Sequence, residues 1–96
     1  MHLLVEVIFY AGQRKTLPQK GYRPDAVFTK SGDYWGIVFI ELEVDKFNVP
    51  APAIIKFTFQ DYHYKEICIG QQFLIMEGSC QVGEGKIVSI DRDWQR

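Results

Sequence analysis

Residues 73–88 read FLIMEGSCQVGEGKIV, and this stretch decides the fold. Two apolar runs flank a central segment that carries glycines at positions 78, 83 and 85. Glycine fits tight turns and close approaches of two backbones, so the arrangement is typical of a β-hairpin with sharply bent strands. The stretch therefore predicts two antiparallel strands joined by a tight turn.

The same stretch contains Gly-Glu-Gly-Lys at positions 83–86, which invites a nucleotide-binding interpretation. A phosphate loop has a glycine five residues before its Gly-Lys pair, and a Ser or Thr after the lysine. Those two positions hold Cys80 and Ile87. We therefore expect this domain to bind no nucleotide.

Alternation with period two dominates the rest of the chain. Residues 40–45 alternate apolar side chains with acids, and residues 55–60 alternate apolar with polar side chains in the same way. Such alternation predicts half-buried strands, and the apolar residues are of the β-forming types. The six predicted strands are 3–10, 25–29, 36–44, 54–62, 72–77 and 85–90.

Turn-forming residues separate these strands. Residues 12–24 hold two glycines and two prolines and predict an irregular crossing, whereas residues 31–33 predict a short turn. Pro50-Ala51-Pro52 predicts a turn or an extended corner, because proline donates no hydrogen bond to a strand ladder. Six short strands predict one all-β domain over residues 1–96, a small antiparallel barrel or sandwich, with 91–96 as a loose tail.

Charge is nearly balanced, but its distribution is uneven. The 96 residues carry a net charge of −1, with 47% apolar and 15% aromatic residues, which favours a compact globule over disorder. Residues 14–30 hold five cations and a single acid, so they form either a basic face or an ordinary solvated loop. The five cations are Arg14, Lys15, Lys20, Arg23 and Lys30.

The cysteines and the N-terminus indicate a reduced compartment. Cys68 and Cys80 are too few and too far apart for a disulfide framework or a zinc site. The apolar run at residues 3–9 is too short to span a membrane and includes Glu6, and it lacks the features of a signal peptide. We expect a cytoplasmic protein that does not contact membranes.

Three motifs together resemble a known family. Gly-Tyr-Arg-Pro-Asp at residues 21–25, Asp-Tyr-Trp-Gly at 33–36 and the hairpin at 73–88 follow one another in the order found in the third, C-terminal domain of elongation factor Tu. The spacing is similar from about residue 3 to residue 90, with small insertions near 32 and 61–66. The resemblance thus covers nearly the whole chain.

This resemblance implies a six-stranded, closed Greek-key antiparallel β-barrel. In the family the domain packs against a second barrel and the GTPase domain. It also contacts the RNA backbone of the T stem of aminoacyl-tRNA and the nucleotide-exchange factor. The implied partners are therefore tRNA, bound weakly by a single barrel, or a translation-related protein.

Departures from the family pattern fall mainly on its polar contacts. Arginines of the family are replaced by Met76 and Cys80, a glutamine by Asp25 and a turn threonine by Trp35, and the turn at 50–52 also differs. Since cations carry phosphate contacts, the loss of two arginines weakens the RNA-binding interpretation. The residues that are retained are Arg23, Glu77, Gly78, Gly83 and Gly85.

The candidate residues for binding RNA or a protein partner are Arg14, Lys15, Arg23, Trp35, Glu77 and Gly78. Arg23 either contacts a phosphate, or stacks on Tyr22 or pairs with a carboxylate. Glu77 either orients a partner or is solvated on the outer strand face. Trp35, beside Tyr34 in a predicted turn, is either an exposed anchor for a partner or a plug at the end of the barrel.

No constellation of residues predicts catalysis. The serines lack the context of a nucleophile elbow, and the cysteines have no adjacent base. Asp61, His63 and Glu66 are of metal-ligand types, but three such residues on one loop are weak evidence for a metal site, and a plain polar loop is the favoured interpretation. We expect no enzymatic activity, no metal and no cofactor.

Two functional hypotheses follow. The first is a translation-factor-type module that touches structured RNA by shape and backbone. The second is a stand-alone module that uses the same scaffold to bind a protein, such as a translation factor, an exchange factor or a toxin. The near-neutral charge, the missing arginines and aromatic candidates such as Phe47, Tyr62 and Tyr64 favour the second hypothesis.

Overall fold

The structure is a computed structural model that describes residues 1–28, 32–59 and 67–91. The six predicted strands are all present; the fifth has the predicted ends, whereas the ends of the other five differ. Their bounds are β1 His2–Phe9, β2 Asp25–Val27, β3 Trp35–Leu42, β4 Ala51–Phe57, β5 Gln72–Glu77 and β6 Cys80–Asp91. None of the described residues belongs to a helix that is long and apolar enough to cross a membrane.

The strands form one closed antiparallel barrel in the order β1-β4-β3-β2-β5-β6, and β6 pairs again with β1. Strands β2, β3 and β4 are consecutive neighbours, and β5 returns to lie beside β2. This connectivity is a Greek key. The prediction of a small closed barrel is confirmed, and the alternative of a sandwich is excluded because the sheet has no edge.

Inward-facing side chains fill the barrel from end to end. Phe9, Phe39 and Phe73 are the largest of the fully buried side chains, and their strands, β1, β3 and β5, are widely separated in the chain. Because burial of one such side chain contributes about 1.5–3 kcal/mol, this shared core is the main source of stability. Smaller fully buried side chains complete it: Leu3, Ile37, Ile55, Ile75, Ile87, Val7 and Val82.

The predicted hairpin joins β5 to β6 through the two-residue loop Gly78-Ser79, with Glu77 paired to Cys80. Gly78 has a φ of 61°, and Ser79 has no positive φ, as in a type II′ turn. At Gly85 an added Cβ would lie 2.2 Å from Cζ of Phe73, so only glycine fits under that buried ring. The hairpin prediction is therefore confirmed, but β6 begins at Cys80 rather than at residue 85.

Strand β4 begins earlier than predicted. We expected a turn or corner at residues 50–52, yet Ala51 and Pro52 belong to β4 and pair with Val7 and Glu6 of β1. Proline is tolerated here because pairing with β3 stops at Ala53, so Pro52 lies where one side of the strand has no partner. The prediction that β4 extends past residue 57 is also wrong, since Phe59 lies beyond its end and is 76% exposed.

Strand β3 begins at Trp35, whereas the sequence predicts a turn at this residue. The register shifts between Phe39 and Glu41, which leaves Ile40 as a bulge, and the predicted alternation of residues 40–45 holds from Glu41 onward, with Leu42 buried and Glu41 and Glu43 exposed. A second shift leaves Val88 as a bulge in β6. A bulge inserts one unpaired residue and turns the following side chains to the other face, and strict alternation cannot predict it.

Residues 10–24 form an irregular crossing, which the sequence predicts for residues 12–24. Its last part runs beside β3: Gly21 N donates to Phe39 O at 2.8 Å, and Phe39 N donates to Tyr22 O at 2.9 Å. These bonds extend the short β2 and bring the crossing to the end of the barrel where the β5–β6 hairpin turns. At the other end of the chain, Asp91 pairs with His2, and the rest of the predicted tail, residues 92–96, lies outside the described residues.

Candidate functional site

The first candidate surface is a group of three side chains, Arg14, Tyr22 and Glu77, which we name the barrel-end cluster. Tyr22 is positioned by the crossing segment, and its ring packs against the core rings of Phe9 and Phe39 at centroid distances of 6.0 Å and 5.6 Å. Glu77 is the last residue of β5, directly before the tight turn. The cluster therefore joins the crossing to the hairpin.

All three members contact one another. Arg14 Nε lies 2.8 Å from Glu77 Oε2, and the Tyr22 hydroxyl donates to the same oxygen at 2.5 Å. The Arg14 guanidinium also lies over the Tyr22 ring, 4.8 Å from its centroid. Since one carboxylate oxygen receives both donors, the charges of Arg14 and Glu77 are largely satisfied within the chain.

A second polar group continues along β6. The Tyr10 hydroxyl donates to Glu84 Oε1 at 2.6 Å, and Gln81 Nε2 donates to the Tyr10 hydroxyl at 3.0 Å. The Cys80 thiol, at a position where the resembling family has an arginine, donates to Gln13 Oε1 at 3.2 Å. These bonds tie the start of the crossing to the hairpin.

Both tyrosines in these groups hold their protons tightly. Burial, followed by the hydrogen bond to Glu84, raises the pKa of Tyr10 from 10.0 to about 12. Burial also raises the pKa of Tyr22 well above its ordinary value, and the hydrogen bond to Glu77 adds to this effect. Each phenol therefore remains a donor to its carboxylate at neutral pH.

The structure brings together three of the six predicted site residues. Arg14 and Glu77 meet in the barrel-end cluster, and Gly78 begins the adjacent turn. Lys15 and Arg23 are exposed, and neither lies within 4.0 Å of a carboxylate among the described residues. The stacking on Tyr22 and the carboxylate pairing that we considered for Arg23 are made by Arg14 instead.

Trp35 lies apart from this cluster. It is half-buried, and its ring packs against Phe28 and Phe57 at centroid distances of 5.7 Å and 5.6 Å. This is the position of a plug at the end of the barrel rather than of a free surface anchor. Exposed aromatic area for a partner is instead offered by the neighbouring Tyr34, which is 49% exposed.

The second candidate surface was not predicted from the sequence. It is an open groove of about 610 Å³ on the outer face of β1, β3 and β4, with Val88 of β6 at its side, and we name it the β4 groove. Leu4 and Ile54 are directly paired across β1 and β4 and form its floor with Pro52 and Val88. Leu4 is 37% exposed and Val88 51% exposed, so the floor is open to solvent.

A sequence signal for the β4 groove does exist. The runs Leu3-Leu4-Val5 and Ile54-Ile55 each place an apolar residue where alternation requires a polar one. Leu3 and Ile55 face the core, so Leu4 and Ile54 must face outward. The two outward residues become one patch only because the β1–β4 register pairs them.

Acidic side chains surround the apolar floor. Glu6, Glu41 and Glu43 line the groove, and none of the described residues that line it is a lysine or an arginine. Lys20, on the crossing, reaches the groove margin with its Nζ 3.4 Å from Glu41 Oε2. The groove is therefore apolar in its floor and negative at its rim.

The three residues of metal-ligand types, Asp61, His63 and Glu66, fall on a segment that the structure does not describe. Among the residues that the structure describes, no three His, Cys, Asp or Glu side chains are grouped so that they could hold a metal ion. No protein-family model matches the chain, and no match was found among the curated proteins.

Proposed function

We propose that this barrel is a non-catalytic protein-interaction module, built on a scaffold like that of the third domain of elongation factor Tu, which binds a protein partner through the β4 groove. The observation that supports this proposal is the apolar floor on the outside of a closed barrel. The core is already filled by inward-facing side chains, so Leu4, Ile54 and Val88 are not needed to complete it. Exposed apolar patches rimmed by polar residues mark interaction sites.

The cluster at the barrel end supports the same choice of function. The RNA hypothesis relies on Arg14 and Glu77 as contact residues, but both are engaged with each other and with Tyr22. An RNA backbone would have to displace a paired carboxylate to reach Arg14. The β4 groove carries three glutamates, which repel phosphate and do not impede a protein partner.

Affinity capture with matched variants tests the proposal. Leu4→Glu places a charge on the groove floor, and Leu74→Glu is its control because Leu74 is similarly exposed, 40% against 37%, on β5, which does not pair with β1. From RNase-treated lysate, we expect the wild type and Leu74→Glu to retain a protein that Leu4→Glu loses. Recovery of the same proteins by all three baits would contradict the proposal, provided that circular dichroism shows each bait folded.

Contact with RNA backbone remains a second candidate function, supported by the exposure of Lys15 and Arg23. Two phosphate contacts give weak, salt-dependent binding, with a slope of log K against log salt of about −1 to −2. Titration of labelled tRNA at low salt should then show an affinity that falls in Lys15→Ala and Arg23→Ala and is unchanged in Lys56→Ala, on β4. An affinity for tRNA that is the same in the wild type, Lys15→Ala and Arg23→Ala would exclude this candidate function.

A further inference from the structure

We infer that the β4 groove is selective for a cationic segment of its protein partner, in which lysine or arginine side chains flank apolar anchors. This inference rests on the proposed function and names the chemistry of the segment that the groove takes. Three features of the groove carry it: the arrangement of its floor, the sign of its rim, and the contact that the chain itself already makes there.

The floor fits apolar anchors presented side by side. Leu4 on β1 and Ile54 on β4 are register partners, and Glu41 on β3 pairs with Ile54 from the opposite side. In the next outward row Glu6 on β1 pairs with Pro52 on β4. An apolar side chain that packs over Leu4 and Ile54 therefore lies beside Glu41, which is paired with Ile54. It also lies near Glu6, which is two residues along β1 from Leu4.

The rim is uniformly acidic where the occupant would lie. Glu6 and Glu41 come from different strands on the two sides of β4, and Glu43 follows the end of β3. The nearest cations on the flanking strands are Lys86, paired in register with Glu6, and Lys56, two residues beyond Ile54. Neither lines the groove, and neither makes an ion pair within 4.0 Å among the described residues.

Lys20 shows that the rim accepts a cation. Its ammonium lies 3.4 Å from Glu41, although both side chains are more than half exposed, at 68% and 54%. An exposed pair of this kind is worth little to stability and can be exchanged for a pair with another cation. Lys20 therefore competes with a partner's cation for Glu41, and removing it should strengthen binding, whereas removing Glu41 should weaken it.

Backbone-amide chemical shifts of the full chain would be followed during titration with four capped synthetic peptides. The first alternates leucine with lysine, and the second replaces the lysines with glutamate. The third replaces them with glutamine, and the fourth keeps the lysines but replaces the leucines with serine. We expect the leucine–lysine peptide to bind most tightly, with the largest shifts at Leu4, Ile54 and Glu41, and the leucine–glutamate peptide to bind most weakly.

Three variants refine the test. Glu41→Gln and Glu43→Gln should each weaken the leucine–lysine peptide about twofold to fivefold at low salt, and Lys20→Gln should strengthen it about twofold. These exposed substitutions leave the core intact, so the barrel should remain folded in each. Opposite effects at Lys20 and Glu41 are not expected from a structural disturbance, which would weaken binding in both.

The possible failures are distinguishable. Equal affinity for the lysine, glutamine and glutamate peptides would overturn the charge selectivity and leave the groove as an apolar docking site. Equal affinity for the leucine–lysine and serine–lysine peptides would overturn the role of the apolar anchors. Shifts outside the groove, or none at all, would overturn the inference, while the fate of the proposed function would still be decided by capture with Leu4→Glu.

Discussion

At Gly85 the absence of a side chain is what allows the core to form. The ring of Phe73, 2% exposed, lies directly over this glycine, and its Cζ is 2.2 Å from where a Cβ would be. Neither partner can withdraw, because Phe73 and Gly85 are paired across β5 and β6. The retained glycine of the motif is thus explained by packing between neighbouring strands.

We therefore predict that Gly85→Ala lowers the free energy of unfolding by about 3 kcal/mol, near the upper end of the usual cost of overpacking. Urea denaturation measures the effect. Gly36→Ala is the control, since its Cβ would meet the end of the Thr58 side chain at 3.3 Å, and it should cost less than about 1 kcal/mol. If the cause is the Phe73 ring, Gly85→Ala should cost clearly less in a Phe73→Leu background, and equal costs in both backgrounds would contradict it.

The two phenols that are hydrogen-bonded to carboxylates, Tyr10 and Tyr22, predict a loss of stability in alkali. The folded state raises the pKa of Tyr10 from 10.0 to about 12, and raises that of Tyr22 as well. As pH rises above about 10, the unfolded chain releases these protons before the folded chain does, so the free energy of unfolding falls until the folded phenols also ionise. Their contribution is fully present below pH 10.

Denaturation midpoints measured from about pH 9 to about pH 12 test this prediction. The fall should be shallower in Tyr10→Phe and in Tyr22→Phe, and shallowest in the double variant. Groups common to all the variants cancel in the comparison. At neutral pH, Tyr22→Phe should also cost about 1 kcal/mol, the net value of one hydrogen bond. An unchanged alkaline slope in the double variant would refute the assignment.

At the scale of the element, the β5–β6 hairpin is set by its turn. Gly78 occupies the first central position of the two-residue loop with a φ of 61°, and Ser79 occupies the second without a positive φ. The turn holds Glu77 beside the crossing, where it accepts hydrogen bonds from Arg14 and Tyr22. The conformation of one loop thus places one member of the barrel-end cluster.

Gly78→Ala should therefore destabilise the protein by about 1–2 kcal/mol, because an L-residue with a side chain is strained at positive φ. Ser79→Ala, at the adjacent turn position, is the matched control and should stay within about 0.5 kcal/mol of the wild type. Thermal unfolding followed by circular dichroism measures both. A cost at Ser79 as large as that at Gly78 would mean that the turn is not of the assigned type.

At the scale of the whole molecule, closure depends on contacts between distant parts of the chain. Strand β1 pairs with β4 and β6, so the first strand of the chain completes its pairing only when the last strand is in place. Forming such pairs requires long loops to close before contacts compensate for the lost chain entropy. Closure removes the open edges of the sheet, but the non-local pairing that it requires slows folding.

We predict that the barrel folds in milliseconds to seconds, as all-β domains with non-local pairing do. Stopped-flow fluorescence after dilution from urea measures this rate, and a double-jump protocol separates the slower phase due to prolyl isomerisation. The Leu4→Glu and Leu74→Glu variants should fold on the same timescale, because both side chains are on the outside. Folding in microseconds would show that the rate is set by local contacts instead.

Much of the fold could be predicted because the residue types and the side-chain alternation that indicate a strand lie within the strand itself. Runs of β-forming residues located all six strands, and residues 73–88 were correctly assigned to a hairpin, although its second strand was predicted to begin at residue 85 and begins at Cys80. What failed were features set by neighbours: the bulges at Ile40 and Val88, and the inclusion of Pro52 in β4. A bulge forms where one strand of a pair has one residue more than its partner over the same length. The sequence of either strand alone therefore does not predict it.

The candidate surfaces show the same division. By itself the sequence determined that the chain forms short strands in one small antiparallel barrel or sandwich, because side-chain period and turn chemistry act between near neighbours. That the sheet closes into a barrel was decided by the tertiary structure. Only the tertiary structure decided that Arg14 is held by Glu77, 63 positions away, and that Leu4 meets Ile54 on an acid-rimmed groove. Those contacts depend on strand order and register, which are settled by the packing of the shared core rather than by any one segment.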